Sequence, residues 1–472
     1  MAFPPSVAHL VPRPTLFYKV LAFTFTFISF AMVHATRKSI ASATPLLKDP
    51  DFGYTTAFFG IMNIVFMLTY AIGMVFTGIL GDIYNPLVVL LCAAILIASV
   101  QCTFAVLVVF FTAPGLHYLY YVMNACNGIS QSIVWPVLVK VMSSYFGAAH
   151  SGIIFSLWTS STAVGNIIGA SLASLMIFFL GDNKGMVIVM TLITPALMLV
   201  IMSILTFVCL PETLDKALCS RVAAADKSNT GFVEKDVTVK GYDEEEQGDS
   251  RQPNQQRINI WRVWLIPGVF IYALAYACIE GSQYAIFFWL PLYLNEHTHL
   301  PPEQANFIDT IYNVGVVVGS LACGWLSDMT AVIADSGRAP YLFLFQVLSL
   351  IPVSLLHVEE PSIAYLYVTL SLAGFFIGGV ANVVSSAVCT DLGRRDALKG
   401  NRDAVSQIAG IIEGIGACGA AIQQGLVLWI ATYSWGGVFI LLPVAIGISC
   451  VLMASLAYRE TKAYIIGRLG RQ

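Results

Sequence analysis

Gly73-Met74-Val75-Phe76-Thr77-Gly78-Ile79-Leu80-Gly81-Asp82, in the first half of the chain, is matched in the second by Gly319-Ser320-Leu321-Ala322-Cys323-Gly324-Trp325-Leu326-Ser327-Asp328, a shared Gly-x4-Gly-x-Leu-x-Asp. Each copy closes an apolar run, and the two runs stand six runs apart, so the chain reads as two parallel repeats of six segments. Repeats of this kind place two bundles side by side, with a solute site between them near the bilayer midplane. Gly165-x3-Gly169 and Gly410-x3-Gly414 match at nearly the same spacing. That pair adds little alone, because GxxxG recurs wherever membrane helices pack closely.

Composition sets the solvent. Of 472 residues, 57% are hydrophobic and only 11% charged, far from the balance of a domain dissolved in water. Apolar stretches of about 20 residues, the length that crosses hydrocarbon, recur from end to end. Stretches such as 100–111 and 185–210 show no dyad alternation, which argues for helices over the strands of a membrane barrel. The expected fold is therefore an all-α membrane protein of about 12 transmembrane helices in two six-helix halves. The expected spans are roughly 16–36, 57–80, 86–111, 117–140, 151–179, 186–210, 263–294, 303–327, 340–357, 363–390, 402–430 and 435–458. Residues 1–210 then form the first half, 211–259 a polar cytoplasmic linker, 260–458 the second half and 459–472 a cytoplasmic tail. The linker contains Asp243-Glu244-Glu245-Glu246 and no periodic apolar pattern, which reads as a solvated, disordered segment. The first apolar run is expected to stay as a helix, since no small-residue cleavage site follows it.

Lys and Arg set the orientation, because cytoplasmic loops carry their excess. With the N-terminus inside, inside segments collect Arg13, Lys19, Lys140, the linker cations, Arg338, Arg394, Arg395, Lys399, Arg402 and the tail cations. Only Arg37, Lys38, Lys48 and Lys184 fall elsewhere. Both termini are expected to be cytoplasmic. A net charge of −3 with no basic patch gives nucleic-acid binding no support. The ten cysteines lie singly without metal-ligand spacing and read as small buried hydrophobes. No metal or cofactor is expected. No Walker lysine loop, GxSxG or HExxH stands at a plausible place, so an enzyme reading has no support either.

Ionisable groups inside a span are expensive and need a partner or a task. His34, Arg37 and Lys38, at i, i+3 and i+4, share one face of the first helix. Two permanent cations beside an imidazole suit a dianion such as a phosphate ester, and Arg brings a planar bidentate fork. The competing reading is that the trio snorkels to the headgroups. Lys140 ends the fourth span, facing either the pathway or the cytoplasmic surface. Glu280 and Glu413 lie deep in spans seven and eleven, open to a structural, a charge-pairing or a proton-coupling role. Trp158, Asn166, Gln283, Tyr284, Asn313 and Asn382 either line a cavity or bridge helices. Asp82 and Asp328 end their helices on the cytoplasmic side, where an acid can hold a gate by capping or by pairing across the halves.

At these residues the sequence resembles the sugar-phosphate/phosphate exchangers of solute carrier family 37 and, more distantly, the bacterial glycerol-3-phosphate and hexose-phosphate antiporters, all on the major facilitator plan. The carrying segments are His34-Ala35-Thr36-Arg37-Lys38-Ser39-Ile40, Tyr70 through Asp82, Cys126-Asn127-Gly128 through Trp135-Pro136, Val164-Gly165-Asn166-Ile167-Ile168-Gly169, Trp289-Leu290-Pro291-Leu292-Tyr293, and Asp391-Leu392-Gly393 through Asn401. The resemblance implies exchange of an organophosphate for inorganic phosphate by alternating access, with Arg37 binding phosphate and Lys38 beside it. It also implies the endoplasmic reticulum or another internal membrane. The bacterial relatives complete the phosphate clamp with a seventh-helix arginine, where this chain reads Gln283 and Glu280. Their fifth-helix histidine falls here at Thr162 and their second-helix lysine at Met74. A further cation would have to come from Lys140 or Lys399.

The expected partners are a small anionic solute, such as a sugar phosphate or phosphate, and membrane lipid; one copy of the chain suffices. Two other readings stay open: a proton-coupled symporter of another organic anion, titrating at Glu280 or Glu413, and a membrane sensor or scaffold that binds its ligand without moving it.

Overall fold

The structure, a computed structural model, describes residues 12–146, 151–181, 183–211, 266, 268–333, 337–358, 361–393 and 404–469. All of its regular secondary structure among these residues is helical. The first half comprises α1 (Pro12–Leu47), α2 (Thr56–Ile83), α3 (Pro86–Phe110), α4 (His117–Ser132), α5 (Val134–Tyr145), α6 (Ser151–Thr159), α7 (Ser161–Leu180) and α8 (Lys184–Cys209). The second comprises α9 (Val269–His297), α10 (Pro302–Ile333), α11 (Ala339–Leu355), α12 (Ile363–Val383), α13 (Cys389–Gly393), α14 (Ala404–Ala431) and α15 (Trp435–Leu469). Chain order sets α4 with α5, and α6 with α7, as two-part passes, and a π turn at Val384–Val388 joins α12 to α13.

Among the described residues, ten helices are long and apolar enough to cross a membrane. The other two expected spans are α11, which is apolar but only 17 residues long, and α4–α5. The latter loses hydropathy to Asn124, Asn127, Ser130, Gln131 and Ser132, all buried. Helix starts follow local chemistry: the Thr55 and Ser362 side chains accept from the backbone N–H groups of Phe58 and Tyr365, and Asn85 caps α3 ahead of Pro86. The expected linker lies outside the described residues apart from Pro211. The expected tail is helical through Leu469, because α15 runs on past residue 458.

The packing repeats as the sequence does. In the first half α1 lies against α7 and α8, α3 against α8, and α2 against α4; in the second, α9 lies against α14 and α15, α11 against α15, and α10 against α12. The quoted glycines make two of these contacts. A Cβ on Gly73 would stand 2.9 Å from the Ser132 Cβ of α4, and one on Gly319 would stand 2.6 Å from the Phe375 Cα of α12. Gly169 brings α7 onto α1 in the same way, with a Cβ there only 2.8 Å from the Ala35 carbonyl. Its sequence partner Gly414 has open space around it, as does Gly410. In the second half the close approach is made instead by Gly416 and Gly419, which face Tyr276, Glu280 and Ala277 of α9.

The halves meet along α1–α9, α2–α14 and α7–α10. The last two contacts exchange under the repeat, as a twofold relation requires. The polarity is inverted relative to a soluble domain. Phe76, Phe110, Phe178, Val208 and Val451 are exposed, whereas Arg37, Lys38, Gln101, Asn306 and Asp309 are buried. Lipid is the medium that makes such a surface stable, and the buried polar groups must then serve one another or a solute. The innermost helices are α1 and α9, buried on every side over residues 29–39 and 285–294.

Candidate functional site

A partly open cavity lies between the halves, lined by residues of both. From α1 it is lined by Phe30 and His34, one turn apart, and from α9 by Tyr276, Glu280, Gln283, Tyr284 and Phe287, whose spacing of three and four keeps them on one helix face. Tyr70, Trp135, Thr159, Thr162 and Asn166 complete the first-half wall. Tyr312, Ala381, Asn382, Ser385 and Glu413 complete the second.

Arg37 sits just behind this lining, 2% exposed. Its Nε donates to Gln131 Oε1 at 3.0 Å, and its NH1 donates to the Tyr284 hydroxyl across the interface. Gln131 is itself aimed by its amide, which donates to Asn127 Oδ1 at 3.1 Å. The guanidinium carbon lies 4.9 Å from the Phe66 ring centre, 4.7 Å from Tyr70 and 5.6 Å from Tyr284. Three rings and two hydrogen bonds therefore fix the fork in orientation while its charge stays free of any carboxylate at ion-pair distance among the described residues.

Lys38 is placed differently from the sequence expectation. Its Nζ donates to Asp309 Oδ1 of α10 and to the Phe287 carbonyl of α9, each at 2.8 Å, and neither Lys38 nor Asp309 is exposed. The shared face of the first helix thus splits. His34 reaches the cavity, Arg37 reaches α9, and Lys38 is neutralised by a carboxylate of the other half. Asp309 escaped the sequence reading although a lone Asp inside the eighth span was signal enough. Tyr70, Tyr276 and Tyr312 escaped it because an aromatic in a span is most often packing.

The remaining expected residues divide between lining and support. Asn166 donates to Asn313 Oδ1 at 2.9 Å, bridging α7 and α10, and Asn313 donates back to the Asp309 carbonyl at 3.0 Å. Asn382 lines the cavity and donates to Ser320 Oγ at 2.6 Å. Trp158 is fully buried one layer behind, stacked on Trp135 and donating to Thr26 Oγ1 at 3.0 Å. Thr162 lines the cavity while Met74 is buried in the packing. Lys140 is half-buried on α5 and is not among the lining residues; Lys399 lies outside the described residues. Asp328 and Asp391 both accept from Arg338, at the start of α11, which also donates to Ser327 Oγ. Burial works against the Arg338 charge, but the two carboxylates together outweigh it and hold the guanidinium above its ordinary range. Asp328 therefore pairs within its own half and not across the interface. The side chain of Asp82 lies outside the described residues.

Several polar atoms at the cavity make no hydrogen bond of good geometry among the described residues. They are His34 Nδ1, Asn166 Oδ1, Glu280 Oε2 and the Tyr312 hydroxyl. Buried groups of this kind are costly unless something answers them. Glu413 Oε1 accepts from the Tyr276 hydroxyl at 3.3 Å, and the Glu280 carboxyl is pressed against Gly416, where any Cβ would collide with it. The site is chemically two-sided: a fixed guanidinium and imidazole face two carboxyls across aromatic walls. It can bind and orient a polar solute, and the described residues hold no cluster able to bind a metal ion.

The sequence profile of the Major Facilitator Superfamily matches residues 26–301 and 272–466. Sugar phosphate exchanger 3 of Gallus gallus is 30% identical over 97% of this chain and 95% of its own. The human protein of that name is 29% identical over 96% and 95%, and the glucose-6-phosphate exchanger of Bos taurus is 27% identical over 96% of each. Helices that cross a membrane, a repeat of six passes and a buried polar cavity between the repeats agree with that likeness along nearly the whole chain. This multi-pass membrane protein belongs to the sugar phosphate exchangers of solute carrier family 37, within the Major Facilitator Superfamily.

Proposed function

We propose that the protein is an antiporter exchanging a phosphorylated sugar or glycerol 3-phosphate for inorganic phosphate by alternating access. The observation that carries this reading is Arg37, a cation held by Gln131, Tyr284 and three rings beside a polar cavity between two related halves. A phosphoryl group takes the guanidinium edge, where charge-assisted bonds are strongest. Asn166, Asn382, Gln283, Glu280 and Glu413 offer donors and acceptors to sugar hydroxyls, and the tyrosine rings offer faces. No bond of the solute is broken, so the work is binding followed by reorientation of 1–210 against 260–458 about the linker.

Contacts on the two sides of the cavity serve as the alternating closures. Toward the α1 C-terminus the halves are joined by Lys48 with Glu296, by Asn306 donating to the Ser42 carbonyl at 3.3 Å, and by Ser174 donating to the Glu303 carbonyl at 3.1 Å. Toward the chain termini Ser156 of α6 meets Ser386 of the π turn, with 3.5 Å between hydroxyl oxygens. The Arg338 cluster with Asp328 braces that face. Asp82, its repeat counterpart, is assigned the same role. The termini face the cytoplasm and the membrane is that of the endoplasmic reticulum or another internal compartment.

The deciding experiment uses purified protein in liposomes, with uptake of labelled glucose 6-phosphate measured with and without trapped phosphate and with and without a pH gradient. Uptake that needs internal phosphate supports the exchanger. The carboxyls Glu280 and Glu413 favour one other reading, proton-coupled symport; uptake driven by a proton gradient and indifferent to internal phosphate would establish it instead. Binding without uptake under any gradient would make the protein a sensor.

A further inference from the structure

Resting on the exchanger reading, we infer that His34 recognises a hydroxyl of the ligand, accepting from the P–OH of inorganic phosphate or from a sugar hydroxyl of the ester. Asn166, Asn313 and Asp309 are the positioning residues that set the imidazole to accept. The direction of each hydrogen bond follows from Asp309, whose role is fixed. Its carboxylate pairs with the Lys38 ammonium at 2.8 Å, with neither side chain exposed, and a carboxylate or a backbone carbonyl only accepts. Asn313 must therefore turn its amide NH2 toward Asp309, which it does, at 3.0 Å from the carbonyl and 3.4 Å from Oδ2. That turns its Oδ1 toward α7, where the Asn166 amide donates to it at 2.9 Å. Oδ1 of Asn166 is left as an acceptor.

His34 faces that acceptor. Gly165 brings α7 close, since a Cβ there would stand 2.7 Å from the His34 Cβ, and Asn166 is the side-chain hydrogen-bond partner of His34. His34 Nδ1 and Asn166 Oδ1 are both buried with no other partner among the described residues. The Phe30 ring, edge-on at 4.9 Å, keeps the imidazole in place. A proton on Nδ1 answers Oδ1, and the neutral ring then carries its lone pair on Nε2, the edge with which His34 lines the cavity. Every bond in the series points from the ligand toward Asp309, and bonds aligned in series strengthen one another. Arg37, one turn along the same face, takes the phosphoryl charge. An acceptor beside it favours anions that bring a hydrogen: inorganic phosphate carries a P–OH at neutral pH, a sugar phosphate carries hydroxyls, and sulfate carries neither. Both exchange partners thus meet the same atom. Asn166 and Asn313 belong to different halves, so a hydroxyl bound at His34 is tied to both.

The test is competition in phosphate-loaded liposomes, with entry of labelled phosphate measured against external unlabelled phosphate or sulfate at neutral pH on both sides. Sulfate should need at least about tenfold the concentration of phosphate for half-inhibition, the scale of one hydrogen bond lost with its acceptor left unanswered. His34→Ala removes the acceptor, and Asn166→Leu or Asn313→Leu releases the tautomer. Each should bring the sulfate-to-phosphate ratio toward one. A purely structural role would slow entry without moving that ratio, and the wild-type preference stands as a test even where a variant fails to fold. Sulfate competing as well as phosphate in the wild type, or a ratio unchanged in the folded variants, would overturn this inference and leave the exchanger reading intact. Absence of phosphate exchange in the wild type would overturn both.

Discussion

Lys38 of α1 and Asp309 of α10 form an ion pair at 2.8 Å with neither side chain exposed, and it joins the two halves of the molecule. A buried pair is sensitive to loss of one member, because the other is left as an uncompensated charge, typically at a cost of about 3–5 kcal/mol. Asp309→Asn or Lys38→Met alone should sharply lower the melting temperature of the detergent-solubilised protein. Lys38→Met combined with Asp309→Leu should recover most of the loss. A double variant no more stable than the singles would show that the pair is not coupled.

Arg37 serves through its fork, Nε to Gln131 and NH1 to Tyr284. A lysine keeps the charge but cannot reproduce two divergent directions. Arg37→Lys should therefore lose at least about tenfold in exchange rate, the lower end of a hydrogen bond to a charged group, and Arg37→Ala should lose all measurable exchange while remaining folded. Initial uptake rates alongside gel-filtration profiles check both statements.

Glycine content reads as packing only where the backbone of a neighbour is close. Gly319→Ala places a methyl 2.6 Å from Phe375 Cα and should destabilise the second half by about 1–3 kcal/mol, the usual penalty of overpacking. Gly410→Ala meets nothing within 4 Å and should be neutral or slightly stabilising through helix propensity. Thermal melting of the two variants side by side is the measurement.

Lys48 and Glu296 pair at the end of the interface farthest from the chain termini, where Glu296 also accepts from Trp435 Nε1 at 3.3 Å. Both side chains are partly exposed, so the pair contributes at most about 1 kcal/mol. Glu296→Gln should shift the closure equilibrium by no more than about fivefold at that energy. With Asn382→Cys on a cysteine-free background, an impermeant maleimide applied from that side should label the cavity faster. Unchanged labelling would remove the pair from the closure.

The fold was legible because lipid imposes a length and a polarity that a sequence cannot hide. The repeated Gly-x4-Gly-x-Leu-x-Asp marked two helices whose glycines pack alike, Gly73 on α4 and Gly319 on α12. The two spans that fall short of a simple hydropathy reading are informative in themselves, since the polar residues that weaken α4 include Gln131, the aligner of Arg37. The site was legible in part. His34, Asn166, Glu280, Gln283, Tyr284, Asn382 and Glu413 were singled out as charged or polar groups within spans, and all of them line the cavity. The pairing of Lys38 with Asp309 was not legible, because it depends on which helices of the two halves face each other. Trp158 shows the converse: its burial was readable, but its place behind Trp135 is decided by packing alone.

Counterflow tests the central claim most directly. Liposomes containing the protein are loaded with unlabelled phosphate or with none, and the initial rate of labelled phosphate entry is measured at equal pH on both sides. Obligatory exchange through the Arg37 site predicts entry only into phosphate-loaded vesicles, abolished by Arg37→Ala. Equal entry into loaded and empty vesicles, or full activity in Arg37→Ala, would contradict it.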